Sequence, residues 1–320
     1  MHDVLDVFES HYGLSGRPFP IAPDAEAVFW TTAHARAYAV LEYGVASHAP
    51  ITLLTGAPGS GKTLLLQRLM EETADDVIFG CVSNARGADG ELLDWAMYAF
   101  GLDLVPGEGF VAAIARLQAA LIEHFAAGRR CVLVFDEAQT LSEASLEALR
   151  MLTNINSGGA DLLQILLVGQ PALRDRIRTP EMAQLAQRVG ATAHLGPMDA
   201  DTTARYVAHR LAAVGATRAV FAPEAVALIA RLSGGVPRLV NQLCELSMVY
   251  GMADAAPAQS DDDGDAPAEI SEAVVRRVVA DDMLVVPIAP VPPPAAAAPD
   301  RPAGGPRPVA SIQPAHAPQR

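Results

Sequence analysis

Apolar residues along the chain fall into two kinds of run. Short, nearly unbroken apolar stretches stand at Ile51–Thr55, Val77–Ser83, Cys131–Phe135 and Leu162–Gly169. Each has the length of a strand, and Val77–Ser83 is notably rich in β-branched residues. Between them the apolar positions recur every three or four residues, over Thr32–Ala46, Leu64–Met70, Gly90–Gly101, Gly109–Gly128 and Ser142–Ile155. In Gly109–Gly128 the repeat is Val111, Ile114, Leu117 and Leu121, and Ser142 is placed to cap the helix it opens. Wholly apolar strands alternating with amphipathic helices predict an α/β fold, a parallel sheet covered on both faces. Past about Pro197 only helical spacing remains, over Asp199–Ala213, Pro223–Leu232, Pro237–Gly251 and Ile270–Asp281.

These runs divide the chain. Residues 1–30 read as an extended leader, because Arg17-Pro18-Phe19-Pro20 and Ala22-Pro23-Asp24 disfavour helix. Residues 31–197 form the α/β domain and 198–282 an all-helical subdomain. That subdomain is interrupted at 253–267 by an acidic, Pro/Gly-rich insertion with the character of a mobile loop. Residues 283–320 are Pro/Ala-rich and read as a disordered or polyproline-like tail.

The turn after the first apolar run carries chemistry. Residues 56–63 read GAPGSGKT and satisfy the phosphate-loop pattern G-x-x-x-x-G-K-[ST] in full. Gly56, Gly59 and Gly61 let the backbone curl so that the N–H groups of Gly56, Ala57, Pro58-Gly59, Ser60 and Gly61 converge on phosphate oxygens, Pro58 having none to give. Lys62 sets a charge against the β- and γ-phosphates, Thr63 offers a hydroxyl to Mg²⁺, and Leu64 continues the helix whose N-terminus faces the anion. A glycine turn matching by chance would lack the strand before and the helix after. The run Val132-Leu133-Val134-Phe135 ends in Asp136-Glu137, about 75 residues on. Asp136 is placed to hold Mg²⁺ and Glu137 to act as general base on the attacking water. A glutamate there, and the absence of an Asn-Lys-x-Asp sequence to read guanine, favour ATP.

Three polar residues stand where such a site uses them. Gln170 follows the strand ending at Gly169, at the sheet edge where ligands gather, a placement that favours contact with the γ-phosphate and the attacking water over a turn residue before Pro171. Arg188, after a helical segment, is a candidate arginine finger for a neighbouring subunit. Arg174, Arg176 and Arg178 are rivals or solvated helix charges. Arg238 follows Pro237 at a helix start, where a cation is mildly unfavourable, so a reach over the nucleotide is preferred to a surface charge.

Composition narrows the picture further. The 320 residues are 51% hydrophobic with a net charge of −14, and the pI is about 4.9. Phosphate backbones are bound by clustered Lys and Arg, so nucleic acid is the less expected partner. Cys81, Cys131 and Cys244 have no metal-ligand spacing and read as buried free thiols. Met1–Tyr12 lacks the apolar core of a signal peptide, and prolines break the apolar stretch 283–299, so a cytoplasmic protein without a transmembrane segment is expected.

Taken together, Tyr12-Gly13-Leu14, Arg17-Pro18-Phe19, Pro23-Asp24, His34, the run Ala39–Gly44, Asp136-Glu137-Ala138-Gln139, Gly169-Gln170-Pro171, Gln187-Arg188 and Gly235-Val236-Pro237-Arg238 with Asn241 resemble the bacterial AAA+ ATPases of the ExeA, or general secretion pathway protein A, type. The resemblance implies a P-loop AAA+ sandwich followed by a helical lid, with Gln170 as first sensor, Arg188 as finger and Arg238 as second sensor. It implies Mg-dependent ATP hydrolysis by a homo-oligomer that drives or regulates an envelope-associated secretion, exopolysaccharide-export or pilus-type machine, peripheral to the inner membrane through its partners. A DNA-linked ATPase helping transposition or replication is the alternative, and a nucleotide-gated binding protein that hydrolyses little is a third reading.

Overall fold

The computed structural model describes residues 4–20, 29–83, 92–157, 159–255 and 268–284. Its strands are β1 (Ile51–Gly56), β2 (Val77–Ser83), β3 (Arg130–Asp136), β4 (Asn156–Ser157), β5 (Ala160–Asp161), β6 (Leu163–Gly169) and β7 (Val189–Leu195). Five form one sheet in the order β2-β3-β6-β1-β7, and every neighbouring pair is parallel. The apolar runs become the interior strands because both their faces are covered: every residue of β1 and β6 is buried. Strand β7 was not expected. Its sequence VGATAHL alternates buried and exposed residues, as an edge strand does. Strands β4 and β5 form a separate small hairpin, also unexpected.

The first helix, α1 (Val4–Tyr12), corrects the extended leader. The helix-breaking prolines lie beyond Tyr12 and leave this segment free to coil. Helices α2 (Thr32–Ala46) and α3 (Lys62–Glu72) cover one face of the sheet through Leu41, Leu54, Leu65 and Leu69. Helices α4 (Leu92–Ala99), α5 (Phe110–Ala126), α6 (Glu143–Leu152), α7 (Pro171–Ile177) and α8 (Ala183–Ala186) lie on the other, around Met97, Leu117, Phe135 and Leu146. Ser142 caps α6 as expected, accepting a hydrogen bond from the Ser145 N–H at 3.0 Å. Gln164, a polar residue inside β6, donates from Nε2 to the carbonyls of Gly44, Val45 and Ala49, which ties the sheet to the end of α2, while its Oε1 is buried with no hydrogen-bond partner.

The remaining helices, α9 (Ala200–Ala213), α10 (Pro223–Ser233), α11 (Pro237–Ala255) and α12 (Glu272–Ala280), build the helical subdomain around Leu228, Ile229, Leu243, Met248 and Val275. Phe8, Tyr12, Leu14 and Phe19 belong to this same core. Burying each large apolar side chain contributes about 1.5–3 kcal/mol, so the N-terminal segment is an integral part of the lid. Polar contacts fix it there: the Tyr12 hydroxyl donates to Met248 O at 2.5 Å, and Arg210 Nε donates to Pro18 O at 2.7 Å. Helix α11 runs to Ala255, into the segment read as an insertion, and the rest of that insertion, 256–267, lies outside the described residues. Ile270 is not helical. It pairs with the Phe221 segment, its N–H on Val220 O at 2.8 Å, and α12 begins two residues later. The tail beyond Leu284 lies outside the described residues. Cys131 and Cys244 are buried, whereas Cys81 is exposed because β2 is an edge strand. Among the described residues no helix is long and apolar enough to cross a membrane.

Candidate nucleotide-binding site

Strand β1 delivers the phosphate loop to the C-terminal edge of the sheet, and α3 starts at Lys62. Gly61, at φ +96°, makes the turn into that helix. Lys62 is buried at 5% exposure, its ammonium donating to Gly56 O at 3.0 Å and Ala57 O at 3.1 Å. Burial lowers its pKa, and the Glu137 and Asp136 carboxylates act in the opposite direction. Ser60 Oγ is buried with no hydrogen-bond partner, and the Thr63 side chain is exposed to the same space. An orphan hydroxyl, a desolvated cation and a helix N-terminus together make a cradle for phosphate.

Strand β3 brings Asp136 and Glu137 to this edge. Asp136 accepts a hydrogen bond from the Glu137 N–H at 2.9 Å. Burial pushes the Asp136 carboxyl up, and this hydrogen bond holds it down. Glu137 sits at φ 56°, ψ 34°, in the left-handed region. For a residue with a Cβ this costs about 1–2 kcal/mol, and such strain collects at functional sites. Among the described residues no group of three or more His, Cys, Asp or Glu is arranged to hold a metal ion. Thr63 and Asp136 suit Mg²⁺ instead, which takes one or two protein oxygens and completes its shell with phosphate oxygens and water.

The lid closes the other side. A cavity of about 240 Å³ is lined from below by the phosphate loop and Glu137, and from the lid by Tyr206, Arg210, Arg238 and Asn241. Gly59 is required here because a Cβ would overlap the side chain of Arg238. The aromatic rings of Phe29 and Tyr206 lie 5.7 Å apart at this cavity, and the Tyr206 hydroxyl donates to Asn241 Oδ1 at 2.8 Å. His34 Nε2 lies 3.1 Å from Ser60 O. A carbonyl only accepts, so Nε2 carries the proton and Nδ1 accepts from the Thr31 hydroxyl at 2.7 Å. Burial lowers the His34 pKa in keeping with that neutral form. Phe29, Tyr206 and Arg210 were not picked out in the sequence. They carry no motif, and only tertiary packing unites them.

Gly235 ties α11 of the lid to the segment that enters the lid from β7. It has φ +73°, its carbonyl accepts from the Met198 N–H at 2.9 Å, and a Cβ would overlap Met198 O. Gly234 is also left-handed, at φ +55°, but has nothing within 4 Å. Gly235→Ala is therefore expected to destabilise the fold by more than the roughly 1–2 kcal/mol of backbone strain alone, and to weaken nucleotide binding by displacing Arg238. Gly234→Asn, which tolerates this conformation, is expected to be near neutral. Thermal melts and a fluorescent-nucleotide titration of the two variants check this; equal melting temperatures would contradict it.

Gln170 and Arg188 lie apart from the cavity. Gln170 stands at the same sheet edge, after Gly169, which pairs with Thr55, and it precedes α7. Arg188 lies at the opposite edge. It precedes Val189, the partner of Ile51, whereas Gly56 pairs with Leu195. A strand rises about 3.3 Å per residue, so Arg188 is roughly 20 Å from its own phosphate loop, and its guanidinium donates to Asn154 Oδ1. Of its rivals, Arg176 is engaged within the chain, donating to Gln139 O at 3.0 Å.

Sheet order, phosphate loop, paired carboxylates and helical lid define a P-loop protein of the AAA class, and an AAA domain matches residues 45–177. The chain carries this domain, and a relative that it resembles is General secretion pathway protein A of Aeromonas hydrophila, 34% identical over 247 residues. That match takes in 77% of this chain and 45% of the relative, so the chain spans less than half of that protein's length. Among solved structures, the fold is similar to Cdc6p from Pyrobaculum aerophilum, with TM-score 0.57 and 16% identity over 74% of this chain and 65% of that one. It is also similar to the Aeropyrum pernix ORC1 protein, solved in complex with DNA, with TM-score 0.56 and 18% identity over 83% and 69% of the two chains. At such identities the likeness shows the fold alone.

Proposed function

We propose that this protein binds ATP with Mg²⁺, hydrolyses it as a head-to-tail homo-oligomer, and uses turnover to assemble or regulate an envelope-associated secretion, export or pilus-type machine from the cytoplasmic side. The observation that supports this most is the convergence of Lys62, Thr63, Glu137 and Arg238 on one 240 Å³ cavity between sheet and lid, with the Asp136 charge acting on Lys62. Backbone N–H groups of residues 56–61 and the Lys62 ammonium bind and orient the triphosphate. Thr63 and Asp136 would hold a magnesium ion, which would supply charge neutralisation to the phosphate oxygens. Glu137 takes a proton from the attacking water, and Arg238, carried by the lid, registers the nucleotide by its charge. The secretion role rests on the likeness to General secretion pathway protein A.

Arg188 is the residue that calls for a neighbour, since its own phosphate loop is far out of reach. Each single variant, Arg188→Ala or Lys62→Ala, is expected to be inactive, and a mixture of the two is expected to regain turnover. One interface type in the mixture combines an intact loop with an intact finger. Phosphate release across mixing ratios tests this, and silence at every ratio with assembly intact excludes the trans role. Measuring the same turnover with and without DNA tests the alternative function. The net charge of −14 argues for no stimulation.

A further inference from the structure

Gln139 is absorbed by none of the roles above, yet both ends of its side-chain amide are committed. Nε2 donates to Glu137 Oε2 at 2.5 Å, and Oε1 accepts from the Gln170 N–H at 3.0 Å. The amide cannot be turned over, because its oxygen would then face a carboxylate and its NH₂ an N–H. The residue is anchored from behind, since Arg176 Nη1 donates to Gln139 O at 3.0 Å. Room has been left for the amide in β6: a Cβ on Gly169 would come within 2.9 Å of Gln139 Oε1. A glutamine that merely filled a turn would require none of these.

The connection has a direction. Glu137 follows β3 in a left-handed backbone conformation, its carboxylate accepts from Gln139, and the Lys62 ammonium is turned onto Gly56 O and Ala57 O. The orientation of the carboxylate is therefore set by Gln139, and the position of Gln139 is set by the backbone N–H of Gln170. We infer that Gln139 is a positioning residue for hydrolysis, the link by which the end of β6 at Gln170 aims the Glu137 carboxylate at the attacking water. This rests on the reading of Glu137 as the base. A change at Gln170 on binding the terminal phosphate is passed through one amide, about the length of a single side chain, to the group that takes the proton.

The test is Gln139→Met, which keeps length and volume and removes both polar ends, with Gln139→Asn, one methylene shorter, as the second variant. Steady-state turnover and the dissociation constant of a slowly hydrolysed ATP analogue are measured on the full chain, with Glu137→Gln alongside. Misaiming a reacting group by about 1 Å can cost 10²-fold. Gln139→Met is expected to lose about 10–100-fold in kcat with KM and analogue affinity within about twofold, and Gln139→Asn to fall between it and wild type. Added to Glu137→Gln, Gln139→Met is expected to cause no further loss, since a residue acting only through Glu137 has nothing left to act on. Three results overturn the inference while leaving Glu137 as the base. These are wild-type kcat in both Gln139 variants with Glu137→Gln inactive, a kcat loss matched by lost nucleotide affinity, and an equal further loss in the Glu137→Gln background. Normal hydrolysis by Glu137→Gln instead removes the base assignment on which the inference stands. Thermal melts guard against misfolding, and if Gln139→Met does not fold, the same comparison is read from Gln139→Asn.

Discussion

Lys62→Ala is expected to lower ATP turnover by at least about 10³-fold. Removing one preorganised donor from a site of developing negative charge costs on the order of 10²–10³, and Lys62 is a full charge held at 5% exposure. Its ammonium, held on the carbonyls of Gly56 and Ala57, is placed to exchange them for phosphate oxygens. The lowered pKa adds to the argument, because a desolvated cation gains more from an arriving anion than a hydrated one. Truncation also removes a charge that offsets Asp136 and Glu137, so the emptied site repels the nucleotide. Phosphate release measures turnover and equilibrium dialysis measures binding. A variant within a few-fold of wild type in both would show that hydrolysis does not occur at this loop.

Glu137→Gln is expected to separate binding from chemistry. The side chain keeps its size, and Asp136 and Thr63 keep the metal oxygens, so ATP should bind with near-normal affinity. The amide cannot take a proton from water, and loss of a general base costs about 10²–10⁴ in rate. The same variant should hold ATP in the closed cavity long enough for the assembled state to be seen by size-exclusion chromatography. Glutamine at 137 also places an amide against the Gln139 amide, removing the charged partner of the 2.5 Å hydrogen bond. Turnover near that of wild type would move the base to another residue.

The interior of the α/β domain was legible because burial on both faces forces unbroken apolar strands: β1, β3 and β6 are such runs. Strand β7 was not. It is an edge strand built of Gly, Ala, Thr and His around a few apolar positions, and it gains its place by pairing with β1. The leader was misread for a related reason. Proline speaks for its own neighbourhood, and the residues ahead of it coil because Phe8 and Tyr12, one helical turn apart, find a core that only the C-terminal helices provide. At the site, residues fixed by phosphate chemistry stood out at their spacings, and the Asp136-Glu137 carboxylates appeared where a strand ended. Phe29, Tyr206 and Arg210 did not, because they carry no motif and only the packing of the lid over the phosphate loop brings them together. Gln139 was visible as part of a motif, but its contact with the Gln170 N–H depends on β3 and β6 being neighbours.

The N-terminal segment has one more implication. Because residues 4–19 are built into the lid while Thr31 and α2 belong to the sheet domain, the two bodies are joined by covalent chain twice, ahead of Thr31 and again between Leu195 and Asp199. A body attached at one point can swivel in any direction. One attached at two points is left with a single easy rotation, about the line through both. The lid here is tied to the sheet domain by two chain crossings, which narrows the directions in which Arg238 can leave the cavity.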